Sequence, residues 1–238
     1  HIVHLVWSFR TGGLENGVVN LINQLDHSSF RHSIVCLTDY DPQFYSRIQH
    51  PAVSIYSLHR KPGKDVFSYW RCYRLLKDLQ PDICHSRNLA ALEYQLPAWL
   101  AGVPYRIHGE HGWDVGDLAG SNQKYIMLKR LFRPLISQYI SLSHEGADYL
   151  RHQVKVPQHK LHIICNGVDT GKFSATAAAP ELLPATIRNA GVIFGSIGRM
   201  AEVKNHTLLA DAFIRLCQQH PALREQIALV IIGDGPFR

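Results

Sequence analysis

Short apolar runs alternate with helical patterns along almost the whole chain, and this alternation is the feature that most constrains the fold. Ile2 to Trp7 has a strand-like composition, and the following residues Leu14, Val18, Leu21, Ile22 and Leu25 repeat with the 3.6-residue helical period. Further strands are predicted at 33–37, 53–58, 82–85, 105–108, 139–142, 161–165, 192–197 and 227–232. Helices are predicted at 65–79, between 85 and Leu100, and at 123–136, 145–152 and 203–219. The pattern predicts an α/β fold with a mostly parallel sheet covered by helices on both faces.

A stretch of small residues, 175–180, interrupts the alternation and predicts two Rossmann-like domains. We assign 1–170 to the first domain, 171–190 to a linker and 191–238 to the second domain. Two strands and one helix are too few to bury a core, so we expect the second domain to be only partly present. The chain also begins and stops beside strand-like segments, and we expect neither end to be a natural tail.

The composition of the chain indicates which kinds of binding partner it favours and in which redox environment it folds. Hydrophobic residues make up 46% of the 238 residues, which is ordinary for a globular protein, and the net charge of +6 favours phosphates or anionic lipid without requiring nucleic acid. Five cysteines without a CxxC motif argue against a disulfide framework or a zinc site and favour a reducing cytoplasm. The sequence has no apolar run long enough to span a membrane, and its first residues do not show the basic, apolar and small-residue pattern of a signal peptide.

Ligands of doubly wound sheets bind at the carboxyl ends of the strands, so the loops there are the first candidates for function. The first loop, TGGLENG, contains Gly12 and Gly13, which allow close approach of the backbone to a ligand at a helix N-terminus. The alternative is a plain strand-to-helix turn, with Glu15 as a favourable first-turn acid. The loop is neither a GxGxxG fingerprint nor a P-loop.

The loop HGEHGWD, 108–114, places His111 where it can hydrogen-bond a sugar hydroxyl or transfer a proton. Its alternative is a solvated loop histidine, and a metal site with His108 has little support. Ser143 in SLSHEG is predicted to cap the next helix. Asn166 in CNGVDTGKF is predicted to form a crossover turn.

The segment GSIGRMAEVKNH carries Arg199 and Lys204 where a strand leads into a helix. Two cations are unfavourable at a helix N-terminus, and a diphosphate bound between them would reverse this effect. The alternative is a pair of solvated cations, one of them paired with Glu202.

Two segments combine cations with large apolar residues. Residues 124–133 contain four cations and no acid, and a helix of this kind can lie on an anionic membrane surface. A second basic region contains Arg60, Lys61, Lys64, Arg71, Arg74 and Lys77. The common alternative for both is a solvated basic face opposite a core-facing stripe.

Taken in order, these loops resemble the retaining glycosyltransferases of family 4, the "group 1" enzymes with the two-domain GT-B fold. The matching pieces are GGLE at 12–15, the His111 loop, SLS at 141–143, NGVD at 166–169, GRMAEVKNH at 198–206 and IIGDGP at 231–236. The N-terminal stretch is most similar to sugar transferases of bacterial exopolysaccharide loci.

The resemblance implies that a hexosyltransferase moves a sugar from a nucleotide-diphosphate donor to an acceptor hydroxyl with retention. It implies that Arg199 and Lys204 hold the donor diphosphate, that Gly12 and Gly13 approach its phosphates from the opposite domain, and that His111 is the catalytic residue beside the donor sugar. Glu15, Ser143 and Asn166 are expected to support the acceptor or the loops. The resemblance implies no metal and no cofactor, because the two cations replace the metal.

The implied partners are the nucleotide-sugar donor and a glycan or lipid-linked acceptor, with no nucleic acid. A lipid carrier would explain a basic, apolar 124–133 helix at the inner face of the plasma membrane. The family's Glu-Phe-Gly-Glu loop has no counterpart, so we expect this chain to be an incomplete enzyme that is inactive alone. The alternatives are a non-enzymatic GT-B-like fragment that binds membrane or acceptor, and a GT-B nucleotide-sugar epimerase.

Overall fold

The computed structural model describes residues 1–113, 116–117, 120–171, 173 and 183–235. The chain divides into two compact units, His1–Val168 and Asp169–Arg238. All strand pairs in both units are parallel among the described residues, and helices connect them, which confirms the predicted α/β class. The small-residue stretch 175–180 lies outside the described residues.

The first unit is built on one parallel sheet in the order β3-β2-β1-β4-β5-β6-β7. Its strands are β1 (Ile2–Val6), β2 (His32–Cys36), β3 (Ser54–Ser57), β4 (Ile83–Arg87), β5 (Tyr105–Glu110), β6 (Gln138–Ser141) and β7 (Leu161–Ile163). The chain winds outward from β1 to β3 and then returns to place β4 on the other side of β1. The strand order therefore reverses between β1 and β4, which is where doubly wound sheets open a crevice.

Seven helices cover this sheet within the described part of the first unit. They are α1 (Gly13–Gln24), α2 (Pro42–Tyr45), α3 (Val66–Leu79), α4 (Asn88–Leu92), α5 (Gln95–Leu100), α6 (Gln123–Phe132) and α7 (His144–His152). On one side, α1 packs Val18, Val19 and Ile22 against Ile34 and Val6. A second cluster joins α3 and α5 to β1 and β2 through residues that include Cys72, Leu76 and Ala98.

Several helix boundaries differ from the prediction. The single helix expected up to Leu100 is two helices, α4 and α5. In one continuous helix the Pro97 ring would clash with the carbonyl of Glu93, four residues earlier, and Pro97 has no amide hydrogen to donate to it. The helix predicted over 123–136 ends at Phe132, shortly before Pro134. The short helix α2 was not predicted; Asp41 caps it by accepting a hydrogen bond from the Gln43 amide at 2.9 Å.

The second unit contains the parallel pair β8 (Val192–Ile197) and β9 (Ile227–Ile232), with α8 (Ala185–Arg188) and α9 (His206–Gln219). Helix α9 begins at His206 and not at 203, because Asn205 adopts a left-handed conformation with φ of 46° and caps the helix. Lys204 therefore ends a separate 3-10 turn, Glu202–Lys204, one residue before that cap. The predicted linker, 171–190, includes α8.

None of the described helices is both long enough and apolar enough to cross a bilayer.

Two adjacent residues of α1 test the packing of the first unit. Ile22 is fully buried and Leu21 is 39% exposed. Ile22→Ala should lower the free energy of unfolding by about 2–5 kcal/mol, because it removes core contacts and leaves a cavity. Leu21→Ala is the matched control and should cost less than about 1 kcal/mol. Equal losses of stability in urea denaturation would contradict this placement of α1.

Candidate functional site

A cavity of about 300 Å³ opens at the carboxyl ends of β5 and β6 in the first unit. Its walls come from the end of β5, the following loop, α6, the end of β6 and the first turns of α7. Two residues that the sequence placed in separate loops, His111 and Ser143, both line it. The sheet topology brings them together, because β5 and β6 are neighbouring parallel strands.

The position of His111 depends on its neighbours on β4 and β5. The His111 amide donates a 2.7 Å hydrogen bond to Asn88 Oδ1, which ties the loop after β5 to the end of β4. A Cβ atom at Gly109 would lie 2.8 Å from His111 Nε2 and 3.1 Å from His85 Nε2. Glycine at position 109 therefore provides the space in which both imidazoles sit.

His111 is a neutral imidazole at physiological pH. Burial lowers its pKa to about 4, the charges of Arg87 and His108 act in the same direction, and Glu110 partly opposes them. Within the described part of the chain, neither ring nitrogen has a hydrogen-bond partner. A neutral imidazole offers one donor and one acceptor, so the ring suits a ligand hydroxyl.

Beside His111, the cavity contains a buried ion pair that the sequence analysis missed. Lys129 Nζ lies 2.9 Å from Glu110 Oε1, and the two residues are only 5% and 8% exposed. Burial alone would raise the pKa of Glu110, but His108 and Lys129 hold that pKa below its ordinary value. The Lys129 ammonium also lies 5.0 Å from the ring centre of Tyr149, a cation–π distance. Helical spacing gives a signal for this position, because Lys129 follows the buried Ile126 by three residues.

A second buried polar group lies where the strand order reverses. Arg87, at the end of β4, places one terminal nitrogen 3.2 Å from His4 Nδ1 and 3.2 Å from His85 Nδ1. Burial lowers the pKa of Arg87 to about 10 and holds the pKa values of both histidines well below the ordinary value. No carboxylate of the described residues forms an ion pair with Arg87. Histidines inside apolar strands were visible in the sequence, but their convergence on one guanidinium depends on strand order.

His108 of β5 and His111 of the following loop lie on opposite faces of the sheet. His108 Nδ1 lies 2.8 Å from Ser86 Oγ on one face of the sheet, whereas the His111 ring lies beside Gly109 on the other. The described residues contain no group of three or more His, Cys, Asp or Glu side chains arranged to hold a metal ion.

The two glycines of the loop after β1 have different surroundings. Gly12 is the N-cap of α1 in an extended conformation, with φ of −167°. A Cβ atom there would overlap the present position of the Glu15 carboxylate, and Gly12 does not form a left-handed turn. Gly13 has nothing within 4 Å of its Cβ position. The open space leaves the first turn of α1 accessible to a ligand.

The two remaining candidates in this unit have different surroundings. Ser143 caps α7, because its Oγ accepts a 3.1 Å hydrogen bond from the Gly146 amide, which confirms the predicted cap. Asn166 lies exposed in coil after β7. Their support of an acceptor stays a prediction.

Arg199 and Lys204 follow β8 in the second unit, and both are exposed. The Lys204 side chain runs over Gly198, with its Cε 3.8 Å from the Cβ position of that glycine. A Cβ atom at Gly233 would overlap the Gly198 carbonyl oxygen, so only glycine allows the loops after β8 and β9 to run side by side. Neither cation forms an ion pair with Glu202 or with another described residue. Their role in binding a diphosphate stays a prediction.

Comparison with known proteins assigns the class of this chain. The model of the family described as Glycosyltransferase Family 4 matches residues 11–172, more than half of the sequence. The chain therefore belongs to Glycosyltransferase Family 4. No curated protein sequence matches it.

Solved structures place the fold. The chain is similar to Anabaena Alr3699/HepE in complex with UDP and glucose, with 17% identity, 99% of this chain and 61% of that chain covered, and a TM-score of 0.71. A glycosyltransferase from Rickettsia africae is 18% identical, with 97% of this chain and 68% of that chain covered and a TM-score of 0.62. The UDP-GlcNAc 2-epimerase from Neisseria meningitidis bound to UDP-GlcNAc is 17% identical, with 97% of this chain and 65% of that chain covered and a TM-score of 0.57. These likenesses confirm the predicted GT-B type of fold, and the chain spans 61% of the HepE chain.

The partial burial of His111 has a consequence for stability. Its pKa is lower in the folded chain than in the unfolded chain, so the unfolded chain takes up a proton first as the pH falls. The contribution of His111 to stability is therefore present above about pH 6.5 and is lost as the pH falls towards 4. NMR titration, assigned with His111→Asn, should show this ring titrating near pH 4. A midpoint near 6.5 would contradict its burial.

The ion pair in the cavity gives a second prediction. Lys129→Met should destabilise the first unit by about 3–5 kcal/mol, because it leaves the Glu110 carboxylate buried without its cation. Lys129→Met combined with Glu110→Gln removes both charges and should recover most of that loss. Urea denaturation of the single and double variants measures the difference. If the single variant is as stable as the original chain, the pair is not buried.

Proposed function

We propose that this chain is part of a retaining glycosyltransferase that moves a sugar from a nucleotide-diphosphate sugar to an acceptor hydroxyl. Membership of Glycosyltransferase Family 4 and the GT-B fold support the proposal. The observation that carries it is the neutral, partly buried His111, which lines a cavity beside a buried ion pair and has no hydrogen-bond partner on either ring nitrogen among the described residues. Such a ring hydrogen-bonds sugar hydroxyls without bringing a charge to them.

The donor diphosphate is proposed to bind at Arg199 and Lys204. Two exposed cations close to the carboxyl end of β8 can offset the negative charge that builds on the leaving diphosphate, where electrostatic stabilisation is most effective. The solved structures of HepE and of the Neisseria epimerase contain UDP or a UDP-sugar, which supports a nucleotide-sugar donor. Gly12 and Gly13 are proposed to add backbone donors to the donor phosphates.

The acceptor is proposed to be a hydroxyl of a glycan or of a lipid-linked glycan, in polysaccharide synthesis at the cytoplasmic side of a membrane. The cavity suits a hydroxyl-rich ring, because Trp113 and Tyr149 provide apolar walls and Glu110 and Asp117 provide acceptors for hydroxyl protons. Its volume of about 300 Å³ matches the lower end of small-molecule sites. Ser143 also lines this cavity.

An epimerase on the same fold is the second candidate, because the Neisseria epimerase shares the architecture. Its TM-score is 0.57, against 0.71 for HepE. Hydrogen exchange in deuterium oxide distinguishes the two reactions. Epimerisation at the sugar C2 exchanges its hydrogen with solvent, whereas glycosyl transfer does not.

Calorimetry with UDP tests the proposed donor site. Arg199→Ala and Lys204→Ala should each weaken binding of the diphosphate by about 1–3 kcal/mol, the range for a charged hydrogen bond. Arg215→Ala, an exposed cation on α9, is the matched control and should leave the affinity unchanged. If all three variants bind UDP as the original chain does, the diphosphate is not held by Arg199 and Lys204.

A further inference from the structure

The outer surfaces of α3 and α5 expose more large apolar side chains than a solvated helix layer needs. On α3 the exposed fractions are 71% for Val66, 75% for Phe67 and 56% for Trp70. On α5 they are 40% for Leu96, 50% for Trp99 and 56% for Leu100. We call these six residues the aromatic patch. Large apolar side chains that are exposed together on a helix mark an interaction site.

The two helices that carry these six residues lie side by side on the same face of the sheet. Cys72 and Leu76 of α3 and Ala98 of α5 belong to one buried cluster. The Tyr69 ring lies 4.8 Å from the ring of Tyr94, the residue that precedes α5. Spacings of three and four residues group Val66, Phe67 and Trp70 on α3, and Leu96, Trp99 and Leu100 on α5.

Cations accompany the α3 part of the aromatic patch, and few acids balance them. The Arg74 guanidinium lies 5.0 Å from the ring centre of Trp70. The segment 60–78 contains six cations, Arg60, Lys61, Lys64, Arg71, Arg74 and Lys77, and two acids, Asp65 and Asp78. Asp65 is buried and pairs with Arg71 at 2.8 Å, so the charge that this segment presents to solvent is strongly positive.

This chemistry selects an anionic lipid surface over a second copy of the chain. Tryptophan is favoured at the level of lipid headgroups, and lysine and arginine beside it attract anionic headgroups. Two copies packed through this face would instead bring the same cations together. Lysine is also depleted from the centres of protein–protein interfaces.

Helix α6, where the sequence suggested membrane contact, is less suited. Lys129 is buried in the cavity, Arg130 donates to the Gln153 carbonyl at 2.8 Å, and Arg133 donates to the Lys155 carbonyl at 2.6 Å. Of the four cations of the segment 124–133, only Lys124 has a head group that makes no hydrogen bond or ion pair with the described residues. Met127 and Leu131 are exposed there, and they provide a matched control.

We propose that the aromatic patch and its cations dock the first unit on an anionic phospholipid surface. The N-terminal turn of α3 follows the carboxyl end of β3, so Val66 and Phe67 lie at the same edge of the sheet as the cavity. Docking through this end holds that edge close to the lipid headgroups. The proposal does not depend on sugar transfer, because it concerns lipid binding without nucleotide or acceptor.

Co-sedimentation of the full chain with phosphatidylcholine vesicles, with and without phosphatidylglycerol, tests the proposal. We expect binding only to the anionic vesicles, and release at high salt. Phe67→Ser combined with Trp70→Ser, and separately Arg74→Gln combined with Lys77→Gln, should each weaken binding about tenfold or more. Met127→Ser combined with Leu131→Ser should bind like the original chain.

Three results would overturn the proposal. The first is the absence of binding to anionic vesicles. The second is an unchanged affinity of the Phe67→Ser, Trp70→Ser variant whose urea midpoint shows that it is folded. The third is a dimer in light scattering that this variant converts to a monomer, which would assign the patch to a second copy.

Discussion

A parallel sheet buried on both faces is the constraint on which the rest of the first unit depends. Parallel strands need crossover connections, and these crossovers place helices on each face and every strand-to-helix loop at one edge. His111 and Ser143, thirty-two positions apart, line one cavity because β5 and β6 pair in parallel register. The reversal of strand order between β1 and β4 likewise places Arg87 beside His4.

Buried charge gives this edge its chemical character. Glu110 and Lys129 are charged although almost completely buried, because each lies within ion-pair distance of the other. Arg87 lies among neutral histidines, and its charge helps to keep His85 and His111 unprotonated. The result is a neutral hydrogen-bonding ring between two sets of fixed charges. Such fixed groups can orient a hydroxyl-rich ligand without reorganising when it binds.

The sequence was informative where a residue's role depends on its near neighbours. The Ser143 cap, the strand positions and the α/β class follow from local patterns, and the structure confirms them. It was less informative at helix ends, where Pro97 and the left-handed Asn205 divided or shortened predicted helices. The basic segment 124–133 illustrates the limit most clearly, since composition cannot tell which of its cations points inward.

By itself, the sequence determined the alternation of strands and helices, the glycines that let loops approach closely, and the order of motifs that resembles Glycosyltransferase Family 4. These properties depend on local periodicity and on backbone sterics, which neighbouring residues fix. Only the tertiary structure decided that Lys129 pairs with Glu110, that Arg87 meets His4 and His85, and that Tyr69 of α3 packs against Tyr94. Each of these relations joins residues on different elements, and only the order and pairing of the strands bring those elements together.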